Sequence, residues 1–565
     1  MILTNTHKVF VMLEIADNTL QSFPLDHHGL IASVCLDLKI AERIDSFLTV
    51  HEKRTVSPGQ AVVAMILNGL GFTNRRLYLT PQFFASKAVE RLFDAPISAK
   101  DLNDYTLGHT LDQISEYGVS NLFAQVAFGI ALEHKLLGGL NHLDTTTISV
   151  SGEYEKLKEE GEPALLEVTH GHSKDHRPDL KQVVLSLVVN GPSHMPIWME
   201  ALDGNSSDKT SFHETIRKVR EFQKQMDVQS DLKWVADSAL YSKDKLLAQN
   251  DYLWLTRVPE TVKEAKEYLS QGEGDFQWIQ DENGYQYTEK LSVHGNIPQR
   301  WVMIFSEQAY AREKKTLEKN LVKREAQLGK DIWHLGNAVF GCAQDAEAQV
   351  ARLAKEYPLH LIEMDVSIVK KFESRGKPAA HEEPKVIGYK VACRVQRNAQ
   401  AMEAFLNRKG RFILATNDMD AEAYPASQIL KEYKAQQNVE RGFRFLKDPW
   451  FMVDSVFLKS PRRIEALMMV MALCLLVYNL AQYKLRDTLR RKEETLPNQL
   501  NKEVQNPTLR WIFQIMEGLV IVKMEEGQAQ AREWITNLSA VRKKIIQLFG
   551  PTACRMHGLN PESAF

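Results

Sequence analysis

The stretch His142-Leu-Asp144-Thr-Thr-Thr-Ile-Ser-Val150 marks the point at which the chain changes character. It is rich in β-branched residues, and its apolar and polar side chains alternate as they do in a strand. The preceding residues instead carry apolar side chains at helical spacing. A second strand-like run, Gln182–Asn190, ends at the turn Gly191-Pro192, and a third, Met195–Leu202, follows at once. Two tight connections between three strands predict an antiparallel meander.

Beyond the meander, predicted helices and strands alternate. An amphipathic helix over Thr210–Gln225 leads to a fourth strand, Leu232–Asp237. Ser242 is suited to cap a helix over Lys243–Gln249, and Tyr252–Val258 forms a fifth strand. The order β-β-β-α-β-α-β predicts an α/β fold with a mixed sheet and helices on both faces, which is the skeleton of an RNase H-like domain.

Shifts in composition divide the rest of the chain. Residues 260–405 break the alternating pattern and combine strand-like runs with a long charged helix, so we interpret them as an insertion. The sheet pattern returns with Arg411–Asn417. We therefore predict a helical N-terminal region that is a candidate for DNA binding (1–138), the first part of the core (139–259), an inserted β-rich and helical subdomain (260–405), the second part of the core (406–492) and a helical C-terminal region (493–565).

Composition sets limits on the class of protein. With 565 residues and a net charge of −2, the chain is long enough for several domains and lacks a uniformly basic surface. The segment 441–492 is different, because eleven Lys or Arg residues against four Asp or Glu residues give it a net charge of +7. That segment is suited to face phosphates.

Cysteine use and apolar runs bear on the compartment. The five cysteines are far apart and form no CxxC pair, which fits a reducing compartment and argues against a disulfide framework or a cysteine zinc site. We expect no secretory signal at the start of the chain. The apolar run Ala466–Leu480 is shorter than the ~20 residues of a membrane span, so we interpret it as a buried core helix, with membrane insertion as the minor alternative. We expect a cytoplasmic, nucleoid-associated protein.

A second informative segment, Tyr433–Lys447, combines polar residues with an apolar stripe at helical spacing. The stripe of Val439, Phe443 and Leu446 is suited to dock on a core. The simplest interpretation is a surface helix in which Glu440 pairs with Arg444 and does no chemistry. The polar residues on the shared face are Tyr433, Gln436, Gln437, Glu440, Arg444 and Lys447.

Two strand aspartates change that interpretation. Asp144 lies in the first strand and Asp237 at the end of the fourth, and these strands are neighbours at the centre of the predicted sheet. Facing carboxylates repel, and a divalent cation offsets the repulsion, so Glu440 on the closing helix would complete a metal site. Two Mg²⁺ ions roughly 3.5–4 Å apart suit phosphodiester transfer. The alternative is that Asp144 caps a strand and Asp237 begins a turn.

The loop His170–Gln182 is the next candidate. Its histidines are mixed with cations and have no matched partner cluster elsewhere, which argues against a zinc site. A loop with glycine, serine and cations favours contact with a DNA backbone, through His172, Lys174 and Arg177. The other interpretation is a solvated loop that leads into the second strand.

The acidic motifs carry a family resemblance. Asp144-Thr-Thr, Asp237-Ser-Ala and Tyr433-x2-Gln436-x3-Glu440-x6-Lys447 resemble the three motifs of DDE transposases from bacterial insertion sequences, the last being similar to the signature called YREK. The similarity is greatest to the IS-four-like superfamily, especially its long IS-sixteen-thirty-four-type group. It covers residues from about 140 to 480 and, more weakly, the N-terminal part.

The resemblance implies a function and its residues. Asp144, Asp237 and Glu440 would be the catalytic ligands of Mg²⁺ or Mn²⁺, with two ions. Tyr433 and Lys447 would contact DNA phosphates, and Gln436 stands where an arginine is expected, so that Arg444 would supply the charge. The substrates would be double-stranded element ends and target DNA, bound by a homodimer and without a membrane. Two alternatives are an RNase H-like nuclease and a catalytically inactive DNA-binding regulator.

Overall fold

The computed structural model describes residues 14–15, 18–72, 79–150, 154, 166–228, 232–242, 251–281, 284–372, 383–448, 458, 460–526 and 532–564. The chain forms two compact units. The first comprises Met1–Lys245, Asp251–Leu253 and Lys434–Phe565, and the second comprises Leu246–Asn250 and Trp254–Tyr433. The predicted helix over Lys243–Gln249 lies outside the described residues. The predicted division into five segments stays a prediction.

The first unit begins with strands β1 (Glu14–Ile15) and β2 (Asn18–Pro24), helices α1 (His28–Asp37), α2 (Ile40–Asp45), α3 (Pro58–Gly69), α4 (Thr80–Phe84), α5 (Val89–Phe93), α6 (Asp104–Tyr117) and α7 (Val119–Glu133), strands β3 (Leu140–Val150), β4 (Lys181–Asn190) and β5 (Met195–Leu202), helix α8 (Asp208–Gln225) and strand β6 (Lys233–Ala236).

The second unit contains β7 (Trp254–Arg257), α9 (Lys263–Ser270), β8 (Ile279–Gln280), β9 (Tyr285–His294), β10 (Ile297–Ser306), α10 (Glu307–Asn337), α11 (Ala343–Glu356), β11 (His360–Lys371), β12 (Lys385–Arg397), α12 (Ala399–Asn407), β13 (Arg411–Thr416) and most of α13 (Ala426–Ala435). The first unit then resumes with α14 (Gln437–Leu446), α15 (Pro461–Arg491), β14 (Leu496–Pro497), β15 (Glu503–Val504), α16 (Leu509–Met516), β16 (Val520–Glu526), β17 (Arg532–Thr536), α17 (Ala540–Phe549) and α18 (Pro551–Met556).

The central sheet of the first unit has the strand order β5-β4-β3-β6. Strand β3 is antiparallel to β4, which is antiparallel to β5, so the meander is present as predicted. Strand β6 returns after α8 and pairs with β3 in parallel, with His142 opposite Val235. This mixed arrangement confirms the predicted α/β fold class with an RNase H-like order of strands. It also places β3 between an antiparallel and a parallel neighbour.

In the second unit, the antiparallel strands β7, β13, β10, β9 and β8 are neighbours in that order. Strands β11 and β12 form a long hairpin, and helices α10 and α11 pack against it. The strand-like runs and the long charged helix that the sequence predicts for the insertion are present, the helix as α10, and the predicted strand Arg411–Asn417 is β13.

Helix α15 is the apolar centre of the first unit. It is long and apolar enough to cross a membrane by length and composition, yet 83% of its most apolar window is buried inside the protein. It packs on α1, α3, α6 and α7 as well as on β5. The burial confirms the interpretation of Ala466–Leu480 as part of a core helix.

The C-terminal region, predicted to be helical, also contains the strands β14 to β17. Strand β16 pairs with β2 at the opposite end of the chain, with Ile521 opposite Phe23, and with β17 on its other side. The periodicity within either segment does not reveal a partner so distant in sequence. The two ends of the chain therefore share one sheet.

Helix α3 begins with a complete capping box. The Ser57 Oγ accepts a hydrogen bond from the Gln60 N–H (3.1 Å), and the Gln60 Oε1 accepts one from the Ser57 N–H (3.0 Å). We expect Ser57→Ala to lower the free energy of unfolding by about 1 kcal/mol in chemical denaturation, because it exposes an unpaired helix N–H. Ser57→Thr, which keeps a hydroxyl at the N-cap, should retain most of the stability. Equal stability of Ser57→Ala and the wild type would contradict this role.

Candidate active site

Asp144 and Asp237 lie side by side on the central strands of the first unit. The parallel register of β3 and β6 sets His142 opposite Val235, so each aspartate stands two positions further along its own strand direction. The Asp144 carboxylate accepts a hydrogen bond from the Thr145 N–H at 2.7 Å. The Asp237 carboxylate accepts one from the Ala239 N–H at 2.9 Å and so begins a short 3₁₀ turn. Asp237 therefore begins a turn, as the alternative interpretation predicts, and also lies next to Asp144, as the metal-site interpretation predicts.

Burial raises the proton affinity of both carboxylates. The Asp144 side chain is only 15% exposed. Its desolvation raises the pKa of Asp144 to about 7, Lys174 opposes the rise, and the charges of Asp237 and Asp208 add to it. Desolvation likewise raises the pKa of Asp237, with a further contribution from Asp208. The pair is therefore a site where negative charge is costly unless a cation is present.

One cation already reaches this cluster. The Lys174 Nζ lies 2.9 Å from the Asp208 Oδ2 and 4.0 Å from the Asp144 Oδ1. It also donates to the Thr145 carbonyl at 2.8 Å and to the Thr145 Oγ1 at 2.7 Å. The Thr145 hydroxyl in turn donates to the Asp208 Oδ1 at 2.5 Å. Lys174, predicted as a DNA contact, is held within the carboxylate cluster in this structure.

Asp208 is the site residue that the sequence analysis missed. It occupies the first turn of α8, which packs against β3. An acidic residue in the first turn of a helix is commonplace because it complements the helix dipole. Its only signal in the sequence is the Ser207-Asp208 pair two residues before the predicted start of the helix. That signal does not distinguish a site residue from an ordinary N-terminal acid.

The loop that carries Lys174 is tied to the C-terminal end of α14. The Lys447 Nζ donates to both carboxylate oxygens of Asp175, at 2.7 and 2.8 Å. The Ser173 Oγ accepts from the Arg177 N–H at 3.1 Å, which tightens the turn. The structure thus brings together Lys447 and the predicted DNA-contacting loop.

Glu440 is not beside the aspartates in this structure. Its helix, α14, packs against β3 and α15. The Glu440 side chain is exposed, however, and within the described part of the chain it forms no hydrogen bond or ion pair. The ion pair with Arg444, which the simplest interpretation required, is likewise not formed among the described residues, and Arg444 is exposed.

The segment Tyr433–Lys447, predicted as one helix, is divided at Gln436 into α13 and α14. The Gln436 carbonyl accepts from the Val439 N–H at 2.9 Å, and this three-residue spacing tightens the backbone there. Gln436 is 7% exposed, and none of the described residues gives its Oε1 a hydrogen bond. The expected arginine position is therefore a buried one.

The other predicted DNA contacts lie at the surface or near it. Tyr433 belongs to the second unit, where its partly exposed ring lies 6.3 Å from that of Phe412. His172 is exposed. Arg177 forms a bidentate ion pair with Asp179, in which Nε donates to Oδ1 at 2.9 Å and Nη2 to Oδ2 at 2.7 Å. Their roles in DNA binding stay predictions.

The aspartate pair has the chemistry that suits a divalent cation. Carboxylate oxygens are hard ligands, and the desolvation and repulsion that raise the pKa of Asp144 are relieved by a bound ion. Within the described ranges, no three His, Cys, Asp or Glu side chains are grouped closely enough to hold a metal ion. The structure thus brings Asp144 and Asp237 together without Glu440, and the assignment of all three as metal ligands stays a prediction.

Family comparison bears directly on this site. Residues 142–477 match the family model described as Transposase DDE domain. The chain belongs to this transposase family. Asp144, Asp237 and Glu440 of the transposase all lie within the matched segment. The resemblance at the level of DDE transposases is therefore confirmed.

Comparison with other known proteins gives three further results. Residues 20–128 of the transposase match a Domain of unknown function (DUF4277). No curated protein matches the chain. A similar solved structure, described as a piggyBac transposase synaptic complex with hairpin DNA, has a TM-score of 0.34 and 10% sequence identity, and the match covers 88% of this chain and 82% of that one.

The raised pKa of Asp144 predicts a pH-dependent stability. Between the ordinary value of 3.8 and about 7, the folded state binds the proton more tightly than the unfolded chain, so the free energy of unfolding falls as the pH rises through this range. In metal-free buffer we expect Asp144→Asn to match the wild type near pH 4. At pH 8 it should be more stable by up to about 4 kcal/mol, at about 1.4 kcal/mol per pKa unit.

Urea denaturation of both proteins at several pH values measures this difference. Asp227→Asn, at an exposed turn residue, is the matched control and should follow the wild type at every pH. A stability difference that is the same at pH 4 and pH 8 would refute the assigned burial of Asp144.

The burial of Gln436 predicts the effect of restoring the family signature. Gln436→Arg would place a guanidinium where the side chain is 7% exposed, so we expect a loss of about 2 kcal/mol or more in the free energy of unfolding. Gln437→Arg, at the exposed neighbour, should stay within about 0.5 kcal/mol of the wild type. Full stability of Gln436→Arg in thermal and urea melts would show that the position is open to solvent.

Proposed function

We propose that the protein is a DNA transposase that cleaves and joins DNA strands at the ends of an insertion sequence. The finer assignment, to the IS-four-like superfamily and its long IS-sixteen-thirty-four-type group, rests on the three acidic motifs. The observation that carries the proposal is the pair Asp144 and Asp237, two desolvated carboxylates on adjacent parallel strands within the transposase domain.

Asp144 and Asp237 would hold Mg²⁺ or Mn²⁺, with Glu440 as the third ligand. Two such ions, when bound, would activate the attacking oxygen and stabilise the leaving oxygen of the phosphodiester. Ionised carboxylates are required for this, so a pKa of Asp144 near 7 makes the metal affinity fall as the pH drops below neutrality. The metal would have to outcompete a proton at Asp144.

The cations around the pair have roles of their own. Lys174 neutralises part of the carboxylate charge through Asp208 and lies 4.0 Å from Asp144. Lys447 is held by Asp175 on the same loop. We infer that both ammonium groups exchange their carboxylate partners for DNA phosphates when the substrate binds. Such charge-assisted contacts would position the scissile strand over the aspartates.

The partners follow from this chemistry. The substrates would be double-stranded element ends and target DNA, in the compartment that holds the DNA. Joining two ends in one event requires two active sites, so we propose a homodimer formed on DNA, with the C-terminal helices as candidates for the contact.

The decisive test uses purified full-length protein and labelled DNA that carries the ends of its own element. With Mg²⁺ or Mn²⁺ we expect strand cleavage and joining. Asp144→Asn and Glu440→Gln should lower the cleavage rate by about 10³-fold or more while they retain DNA binding in a mobility-shift assay. Glu214→Gln, at an exposed glutamate of α8, is the matched control and should cleave at the wild-type rate.

Equal cleavage by the wild type and Asp144→Asn would refute the assignment of Asp144 as a metal ligand. Cleavage of DNA without any preference for element ends would favour a nuclease with the same core.

A second candidate function is a DNA-binding regulator without catalytic activity. It is favoured by the exposed position of Glu440, which forms no hydrogen bond or ion pair among the described residues. This candidate predicts sequence-specific binding of the element ends and no metal-dependent cleavage by the wild-type protein in the same assay.

A further inference from the structure

An open groove of about 1110 Å³ lies in the first unit, between α14, α15 and the turn that precedes β5. Its lining contains Arg441 of α14 and Arg486 and Arg490 of α15, and we call it the arginine groove. Neither Asp144 nor Asp237 lines it. Its volume slightly exceeds the usual range of small-molecule sites, which favours an extended ligand.

The three arginines belong to the segment 441–492, whose net charge is +7. The fold gives several other cations of this segment a carboxylate partner. These ion pairs are Lys447–Asp175, Arg463–Asp112, Lys484–Asp37 and Arg491–Asp487. In the described part of the chain, Arg441 and Arg486 have no such partner. Positive charge that the fold does not compensate is therefore concentrated in the arginine groove.

Arg486 is half-buried in this groove. Its Nε donates to the Pro507 carbonyl at 2.9 Å, and its Nη1 and Nη2 have no acceptor among the described residues. Burial lowers the pKa of Arg486, Tyr478 opposes the change, and the charges of Arg441 and Arg490 lower the pKa further. A guanidinium nevertheless stays protonated at neutral pH. Three positive charges thus lie close together, and a bound anion would relieve their repulsion.

Two carboxylates also line the groove. Asp487 is shared by two arginines, since its Oδ2 lies 2.8 Å from the Arg491 Nε and its Oδ1 lies 3.6 Å from the Arg490 Nη2. Glu503 is exposed, so solvent and salt screen its charge. Neither carboxylate forms an ion pair with Arg441 or Arg486. These two guanidinium groups are therefore available to an anionic ligand.

The groove also contains a buried hydroxyl without a partner. Ser193 lies in the turn between β4 and β5 and is 5% exposed. None of the described residues forms a hydrogen bond with its Oγ. An unpaired buried hydroxyl is unfavourable, and a ligand oxygen that accepted its proton would remove that cost. Ser193 is thus a second feature, independent of charge, that suits an oxyanion.

We propose that the arginine groove binds phosphate groups, which pair with Arg441 and Arg486 and accept a hydrogen bond from the Ser193 hydroxyl. The planar fork of a guanidinium matches two phosphate oxygens at once. The phosphates belong either to the backbone of a DNA strand or to a free polyphosphate. The DNA source rests on the proposed function. It is favoured by the length of the groove lining and by Arg441, which directly follows Glu440 on α14, so that a strand held there would pass beside Glu440.

The test measures DNA binding by the full-length protein in metal-free buffer, so that no cleavage is involved. The probe is a fluorescein-labelled DNA duplex, followed by fluorescence anisotropy at several salt concentrations. Arg441→Gln should weaken binding by about tenfold, and the slope of log Kd against log salt should fall by about one, because one phosphate contact is lost. Arg441 is exposed and unpaired among the described residues, so this variant should fold normally.

Ser193→Ala separates the hydroxyl from the charges. We expect it to weaken DNA binding by up to about tenfold and to leave the salt slope unchanged, because no charge is removed. Its thermal stability should equal or exceed that of the wild type, since the hydroxyl has no partner among the described residues of the free protein. A merely structural serine would instead lower the stability and leave the affinity unchanged.

Arg555→Gln is the matched control for the loss of charge. Arg555 is exposed, lies outside the groove and forms no ion pair among the described residues, so this variant should keep the wild-type affinity and salt slope. Thermal melts with inorganic pyrophosphate distinguish the two sources of phosphate. If pyrophosphate stabilises the wild type but not Arg441→Gln, and the two proteins bind DNA equally, the groove takes a free polyphosphate.

Unchanged DNA binding and unchanged stabilisation by pyrophosphate in both Arg441→Gln and Ser193→Ala would overturn the inference. Competition by polyglutamate as strong as that by unlabelled DNA would also overturn it, in favour of an acidic protein. Because Asp144→Asn should retain the wild-type DNA affinity in this assay, loss of cleavage and loss of phosphate binding are separate results. Cleavage of element ends by a protein whose groove variants bind normally would refute this inference alone.

Discussion

The burial of Asp144 beside Asp237 is the constraint on which the active site depends. Two carboxylates on adjacent parallel strands are desolvated, and the charge of Asp237 adds to the rise in the pKa of Asp144. The protein lowers the cost in part with the Lys174 ammonium, which pairs directly with Asp208 and also donates to Thr145. A divalent cation would complete the compensation. A bound cation would thus relieve the same charge repulsion that makes the site costly in the free protein.

The rest of the first unit keeps this pair and α14 in place. Helix α15 forms the apolar core on which the N-terminal helices, β5 and α14 pack. Gly442 lets α14 approach closely, since a Cβ at that position would lie 3.0 Å from the Leu475 Cδ2. The ion pair of Lys447 with Asp175 fastens the end of α14 to the loop that carries Lys174. Glu440 thus stands on a helix that is anchored at both its apolar face and its C-terminal end.

Much of the fold was predictable because it depends on local periodicity. The strands β3 to β6, helix α8 and core helix α15 have patterns of their own, and the order of strands then places Asp144 next to Asp237. The features that the sequence did not predict depend on contacts between distant segments. The pairing of β2 with β16, the burial of Gln436, and the network that joins Lys174 to Asp208 leave no mark in a local pattern. Glu440 was predicted as the third ligand from helical spacing and from the family motif, and in the structure its side chain faces solvent.

We propose above all that Asp144 and Asp237 together form a divalent-cation site. Titration of the full-length protein with Mn²⁺ at pH 8, followed by the loss of the free-ion electron paramagnetic resonance signal, tests this claim without DNA. We predict that the wild type and Glu214→Gln bind Mn²⁺ with the same affinity, and that Asp144→Asn and Asp237→Asn each weaken binding by about tenfold or more. Unchanged Mn²⁺ affinity in both aspartate variants would show that the cation does not bind at Asp144 and Asp237.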